Sequence, residues 1–256
     1  MSSEVIKKDT GSVALFGDDL QKGFENMTQE DMALPFVRIL GQLSPQVTDG
    51  DAKYIDGAKP GMIYNTVTSE CFDGKKGIKV IPCYYKKDFP EWSDRGDGPG
   101  APVAVHLPNS PVIQTGKRDG SKIRLPNGNY LEETASYYVM VETKNGGYTP
   151  ALITMKSTQL NVSKKWNSMM KTIQIPDGQG GFAIPPMHGV VYTLASTLQK
   201  NDKGSWYGWV VTMDRILGQS DKSLYSNAKD FRGNVAKGNV QTKADVEEKA
   251  KDSTPY

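Results

Sequence analysis

The sequence predicts a mainly β protein, an antiparallel barrel or sandwich with one or two short helices and flexible termini. Gly 26 and Pro 15 together make up about 16% of the 256 residues, against about 12% in average proteins. Apolar runs of strand length recur between turn-forming residues. Three pairs of these runs are joined by stretches typical of tight hairpins. These observations disfavour a helical bundle.

The first elements of the chain are an arm and an ambiguous apolar segment. Residues 1–28 are polar and aperiodic, which predicts a flexible N-terminal arm. Residues 29–220 are predicted to form one β-rich domain. Its first apolar segment, residues 32–47, fits either a strand or one short helix, because periodicity does not separate the two at this length.

Strand-length apolar runs then continue through the domain. They are residues 61–68, 78–86, 102–106, 112–115, 121–125, 136–144, 149–155, 190–198 and 206–217. Hairpin turns are predicted at residues 117–120, 145–147 and 201–204, where Asn, Asp and Gly tolerate the positive φ that tight turns require. One helix is predicted over residues 157–173, with Trp166 and Met170 in an apolar stripe that docks on the sheet. Residues 221–256 are predicted to be a flexible C-terminal tail.

Composition excludes several classes of protein. The two cysteines, Cys71 and Cys83, and two histidines, His106 and His188, cannot supply a disulfide framework or a four-cysteine zinc site. We therefore expect no catalytic residues, no metal site and no cofactor. No apolar run approaches the ~18 residues of a membrane span, and the first residues lack the apolar segment of a secretory signal. A soluble intracellular protein without membrane contact is expected.

The charge of the chain is unevenly distributed although its sum is only +2. Residues 1–34 have a net charge of −4, whereas residues 71–171 contain 15 Lys and Arg against nine Asp and Glu. A polyanion would therefore meet the middle of the chain first. Ordinary solvated lysines account for the same numbers, so charge alone leaves both interpretations open.

A cluster of aromatic and basic residues between residues 79 and 95 is the most informative local feature. Unpaired bases stack on aromatic rings, and Lys or Arg neutralises the phosphates between them. The predicted phosphate contacts are Lys79, Lys86, Lys87 and Arg95, and Trp92 is a predicted stacking residue. Alternation in a strand that starts at Ile78 places Tyr84 on the core side and Tyr85 on the other, so Tyr85 is the second predicted stacking residue.

The same alternation indicates further candidates. Tyr138 lies opposite the apolar face of residues 136–144, and Trp206 lies opposite that of residues 206–213. The hairpin of residues 112–125 is either a basic finger over a bound strand or a solvated turn. Its candidate contacts are Lys117, Arg118, Lys122 and Arg124. On the predicted helix, Lys164 and Lys165 are placed for phosphate contact.

An alternative hypothesis is a Mg²⁺-dependent nuclease. Glu142 and Lys144 follow a predicted strand as Glu-x-Lys, an arrangement that can hold a metal on carboxylates and orient water with a lysine. This hypothesis needs a second carboxylate, for which Asp119 and Glu133 are candidates.

The chain ends in an acidic tip with a Pro-aromatic carboxyl terminus. From Asp245 onward, four acids and the terminal carboxylate outweigh two lysines. Such an end can enter a basic, apolar pocket of a partner, which makes Pro255 and Tyr256 the predicted partner-binding residues.

Five segments of the chain carry a resemblance to a known protein family. The segments are Ala33-Leu-Pro-Phe-Val-Arg-Ile-Leu-Gly-Gln-Leu-Ser-Pro-Gln46, Gly57-Ala-Lys-Pro-Gly-Met-Ile-Tyr-Asn65, Val80-Ile-Pro-Cys-Tyr-Tyr85 with Trp92, Ser157-Thr-Gln-Leu160 with Ser163-Lys-Lys-Trp-Asn167, and Asn201-Asp-Lys-Gly-Ser-Trp-Tyr-Gly208. These segments resemble single-stranded DNA-binding proteins encoded near replication genes in tailed bacteriophages. The resemblance covers about residues 30–217 and implies an OB-like β core.

The closing Asp252-Ser-Thr-Pro-Tyr256 also resembles the acidic tail tip of bacterial single-stranded DNA-binding proteins, which ends Pro-Phe and recruits replication enzymes. The tail departs from that pattern, since residues 229–256 contain six bases and five acids. The sequence therefore predicts a non-catalytic phage protein of the host cytoplasm that coats single-stranded DNA in replication or recombination. Replication proteins are predicted partners of its C-terminal tip, and homo-oligomers are allowed but not specified. A phage virion or host-takeover protein without affinity for DNA is a third hypothesis, beside the nuclease.

Overall fold

The computed structural model describes residues 15, 17–19, 22–27, 31–93, 101–202 and 204–240. The strands are β1 (Val37–Ile39), β2 (Ile63–Asn65), β3 (Cys71–Phe72), β4 (Ile78–Trp92), β5 (Ala104–His106), β6 (Lys117–Asp119), β7 (Lys122–Arg124), β8 (Tyr130–Glu132), β9 (Thr134–Glu142), β10 (Tyr148–Lys156), β11 (Ile175–Pro176), β12 (Phe182–Ala183), β13 (Val190–Asn201) and β14 (Gly204–Ile216). The helices are α1 (Val112–Thr115), α2 (Leu160–Thr172) and α3 (Lys222–Ala236).

The central sheet is antiparallel and has the strand order β14–β13–β4–β9–β10. It curls into a half-barrel, which confirms the predicted fold class and is consistent with an OB-like barrel. The predicted turns at residues 145–147 and 201–204 form its β9–β10 and β13–β14 hairpins. Gly146 and Gly204 have φ of +81° and +138°, conformations that residues with a Cβ rarely adopt.

The inner face of the curl contains the largest hydrophobic core. Tyr137, Val139 and Val141 of β9 point into it together, as alternation predicts. Helix α2 closes the core with the predicted stripe, because Trp166 is fully buried and stacks on Tyr137 with ring centroids 4.3 Å apart. The predicted helix is therefore confirmed, with bounds a few residues shorter.

A β-bulge in β4 overturns the predicted faces of its two central tyrosines. The register with β9 shifts between Pro82 and Tyr84, and the extra residue reverses the alternation beyond it. Tyr85 consequently packs against the inner core, 5.1 Å from Tyr137. Tyr84 lies on the outer face, where its ring is 6.2 Å from that of Tyr138. The sequence-based assignment of Tyr84 to the core side and Tyr85 to the other is therefore wrong.

Helix α3 covers the outer face of the sheet. Its Ala228 and Phe231 are buried against Ile81 and Met140. The predicted tail from residue 221 is thus wrong for Lys222–Ala236. An apolar stripe at helical spacing runs through this polar segment, consisting of Leu224, Ala228, Phe231 and Val235.

The last four residues of β4 extend beyond the half-barrel into a smaller sheet, ordered β5–β4–β8–β7–β6. The predicted turn at residues 117–120 joins β6 to β7, with Gly120 at a φ of +58°. A separate small core supports this sheet and comprises Phe89, Ile123, Leu125 and Leu131. Residues 112–115, predicted as a strand-length run, instead form the short helix α1, which packs on the same core.

The first apolar segment of the chain contains a strand. Within residues 32–47, β1 pairs with β2 in a small antiparallel sheet, and Phe36 bridges in parallel to Leu152 of β10. Among the helices of the described residues, none combines the length and apolarity needed to cross a membrane.

Candidate nucleic-acid interface

Four strands of the smaller sheet carry a row of cations and aromatic rings. The registers place Lys117 opposite Arg124, Arg124 opposite Tyr130, and Tyr130 opposite Trp92. Directly opposite residues project from the same face of an antiparallel pair. Lys122 lies two residues before Arg124 in β7 and shares that face. We call Trp92, Lys117, Lys122, Arg124 and Tyr130 the hairpin platform.

Side-chain contacts link the cations of the hairpin platform to its central ring. The Nζ of Lys122 lies 3.6 Å from the ring centroid of Tyr130, and the Arg124 guanidinium lies 5.8 Å from it. Arg124 Nε donates to Asp119 Oδ2 at 3.2 Å. Positive charge thus lies directly beside aromatic surface, which is the combination that binds phosphates and bases of one strand.

The sheet beneath the hairpin platform is closely packed. Leu131 is fully buried and Ile123 is buried beside it, both on the face opposite to Tyr130. A Cβ added at Gly116, immediately before β6, would collide with the Ile123 side chain and lie 3.0 Å from the Arg124 carbonyl oxygen. The absence of a side chain at residue 116 therefore allows β6 to start against β7.

A buried carboxylate lies at the end of β4 next to Trp92. Glu91 Oε1 accepts from Asn129 Nδ2 at 2.6 Å and from Asn127 Nδ2 at 3.1 Å, and Oε2 accepts from His106 Nε2 at 2.7 Å. Burial alone would raise the pKa of Glu91, but the hydrogen bonds from Asn129, His106 and Asn127 outweigh it and lower the pKa. The carboxylate is therefore ionised at neutral pH.

The predicted lysines of β4 are engaged in ion pairs. Lys79 donates to Thr193 Oγ1 at 2.8 Å and pairs with Asp214. Lys86 lies 3.2 Å from Asp88 Oδ2, and Lys87 lies 2.6 Å from Glu133 Oε1. Lys79 is also thirteen residues from Trp92, about 43 Å along an extended strand. The structure therefore does not bring Lys79 to the hairpin platform. Lys86 and Lys87 are paired with acids, as Arg124 of the platform is with Asp119.

The other predicted stacking residues are half-buried, as Trp92 is, but they lie away from the hairpin platform. Tyr85 packs on the inner core and Tyr138 on the outer one, both half-buried. Trp206 is half-buried on β14 and lines a shallow pocket of about 320 Å³ with Ser157 and Thr158. Lys164 and Lys165 are exposed on α2, a helix that packs on the half-barrel rather than on the smaller sheet.

The remaining predicted residues divide between an edge strand and the undescribed parts of the chain. Arg118 is exposed on β6, but its register partner is Ile123, so it points away from the hairpin platform. Arg95, Pro255 and Tyr256 lie outside the described residues. The sequence analysis did not predict Tyr130 as a stacking residue. Its one sequence signal is its position immediately after the turn-forming Asn-Gly-Asn, where a strand can begin.

The carboxylates considered for a nuclease site lie far apart. Glu142 is the last residue of β9 and Glu133 immediately precedes its first, so the two are nine residues or about 30 Å apart along an extended chain. Asp119 is in the β6–β7 hairpin, near the end of β4 that contains Trp92. Glu142 lies near the other end of β4, because the preceding residue, Val141, pairs with Val80. Within the described ranges, no three His, Cys, Asp or Glu side chains group in a way that would hold a metal ion.

Comparison with known proteins identifies the family. A family model described as "Pam3 phage gp34-like protein" matches residues 7–241. The chain belongs to this phage protein family. Neither the curated proteins nor the solved structures gave a match. Membership of the Pam3 phage gp34-like family confirms the predicted phage origin.

Proposed function

We propose that this Pam3 phage gp34-like protein is a non-catalytic single-stranded DNA-binding protein, which coats and protects single strands during phage DNA replication or recombination. The hairpin platform carries the proposal, because two rings and three cations share one face of a closely packed sheet. The same face holds two acids, Asp119 paired with Arg124 and Glu132 paired with Lys156. The two rings would stack bases while Lys117, Lys122 and Arg124 contact the flanking phosphates.

The arrangement favours a single strand over a duplex. Ring faces bind bases only when those bases are unpaired, and sheet surfaces bearing exposed aromatics are a recurrent way of binding such strands. Trp92 and Tyr130 are directly opposite each other, so their Cβ atoms are about 4.5–5.5 Å apart and their rings can bind neighbouring bases. The β-rich fold and the resemblance to phage single-stranded DNA-binding proteins support the same function.

Binding of a labelled oligo-dT in 50 mM and 200 mM salt, with tryptophan fluorescence recorded alongside, tests the proposal. We expect tight binding at 50 mM, weaker binding at 200 mM, a change in tryptophan emission, and weaker binding of a duplex of equal length. Absence of binding at 50 mM would refute the proposal. Finding the protein in purified particles would then favour the virion alternative.

A second incubation separates binding from catalysis. Labelled single-stranded DNA is kept with the protein in Mg²⁺ and, in parallel, in EDTA. We expect intact DNA in both, and cleavage confined to the Mg²⁺ sample would support the nuclease alternative instead. The Glu142→Gln variant shows whether any cleavage depends on the Glu-x-Lys pair or on a contaminating enzyme.

A further inference from the structure

The buried carboxylate of Glu91 has a special position relative to the hairpin platform. Glu91 immediately precedes Trp92 in β4, and one of its donors, Asn129, immediately precedes Tyr130 in β8. Trp92 and Tyr130 are register partners. The two rings are therefore adjacent in the chain to two residues that are themselves joined by a 2.6 Å hydrogen bond.

The donors to Glu91 come from both sides of its strand. Asn127 and Asn129 belong to the turn between β7 and β8, whereas His106 is the last residue of β5. The side chain of Glu91 thus ties two segments, the β7–β8 turn and β5, to the end of β4. At 7% exposure the carboxylate is nearly removed from water, so its oxygens depend on these donors.

Protein stability alone does not explain why a charged carboxylate is buried at residue 91. Replacing a buried charged network by packed apolar side chains is often neutral or stabilising, so such a network is weak evidence for a stabilising role. Its distinctive property is that it fixes relative geometry, because each hydrogen bond constrains both distance and direction.

We propose that Glu91 is the positioning residue of the hairpin platform, holding the turn of residues 125–129 so that the Tyr130 ring stays beside Trp92. The proposal rests on the proposed function, because positioning matters only if the rings stack bases. Glu91 itself touches no base and lies on the opposite face of the sheet, beside Leu131.

The test compares Glu91→Gln with Asp88→Asn on two oligonucleotides of equal length, oligo-dT and an abasic strand that offers phosphates without bases. Asp88 is the matched control, because it is in the same strand, is also 7% exposed and pairs with Lys86 instead of the turn. We expect Glu91→Gln to weaken oligo-dT binding at least about fivefold, the loss of one weak base stack. Binding of the abasic strand should change less than about twofold, since the phosphate contacts remain.

Three outcomes would overturn the inference: equal loss on both strands, no loss on oligo-dT in a folded variant, or the same selective loss in Asp88→Asn. If Glu91→Gln does not fold, Asn129→Ala removes one donor to the carboxylate and should show the same selective loss. If the wild-type protein does not bind oligo-dT, the proposed function itself fails. If it binds both strands equally, there is no base stacking for Glu91 to support.

Discussion

The salt dependence of DNA binding follows from the charges of the hairpin platform. In the double variant Lys117→Gln, Lys122→Gln, two of its three cations are removed while both rings remain. Among the described residues, neither lysine forms a salt bridge, and the Lys122 amine rests over the Tyr130 ring. Replacing the two lysines therefore breaks no salt bridge among the described residues. We expect the double variant to differ from the wild type in its phosphate contacts with DNA.

The magnitude can be worked out from the number of phosphates contacted. For single strands, each neutralised phosphate contributes about −0.7 to the slope of log K against log salt concentration, so three cations predict a slope of about −2.1. Between 50 mM and 200 mM salt, wild-type affinity should fall about 18-fold. The double variant retains Arg124 alone, which predicts a slope of about −0.7 and a fall of about threefold.

Fluorescence anisotropy of labelled oligo-dT at four salt concentrations measures these slopes. The control is Lys53→Gln, Lys59→Gln, which removes the same charge from exposed positions between β1 and β2. This control variant should keep the wild-type slope, because the slope depends on the cations that contact phosphates and not on the net charge of the protein. An unchanged slope in the platform variant, or an equal drop in the control, would refute the assignment of phosphate contacts.

Three further measurements test other parts of the structure. Tyr130→Ala should weaken oligo-dT binding by about 1–3 kcal/mol, whereas Tyr130→Phe should leave it nearly unchanged, because the ring and not the hydroxyl stacks. Phe231→Ala should lower the free energy of unfolding in urea by about 3–5 kcal/mol, because Phe231 is buried beneath α3. Burial, Arg232 and Lys229 lower the pKa of His188 below its usual 6.5, so the unfolded chain binds more protons there. Stability should therefore fall as pH decreases through 6.5, measured by urea unfolding at pH 7.5 and 5.5, and His188→Phe should reduce that dependence.

Each of these has a contrary result. Similar affinity in Tyr130→Ala and wild type would remove Tyr130 from the binding surface. An unchanged unfolding midpoint in Phe231→Ala would indicate that residues 222–236 behave as the tail that the sequence predicts. A pH dependence that persists in His188→Phe would assign the proton uptake to other groups.

The features that could be predicted from the sequence, namely turns, strand faces and the helical stripe, depend on the conformation of short stretches of chain. Glycines with positive φ mark turns whatever the tertiary context, so Gly120, Gly146 and Gly204 located three hairpins before any pairing was known. The alternation of Tyr137 with Val139 and the helical spacing of Trp166 and Met170 likewise depend only on chain geometry.

The errors involve information that becomes available only when strands pair. The bulge near Cys83 depends on the register between β4 and β9, and it moved Tyr85 from the predicted outer side to the core. Tyr130 stands alone in the sequence and becomes part of a row only through the registers of β7, β8 and β4. Lys87 appeared available because its partner, Glu133, is distant along the chain.

Strand β4 has a consequence for how the protein is made. Its last residues, Phe89–Trp92, pair with β5 and β8, which follow within about forty residues, whereas its first residues, Ile78–Val80, pair with β13, as in the contact between Lys79 and Thr193, 114 residues later. Chains emerge from the ribosome in order, and contacts between distant segments form slowly. The small sheet with its basic hairpin can therefore assemble while the rest is being translated. One edge of β4 can then pair with β9, but the edge of its first residues that faces β13 must wait for most of the chain and stays open to aggregation or to a chaperone in the meantime.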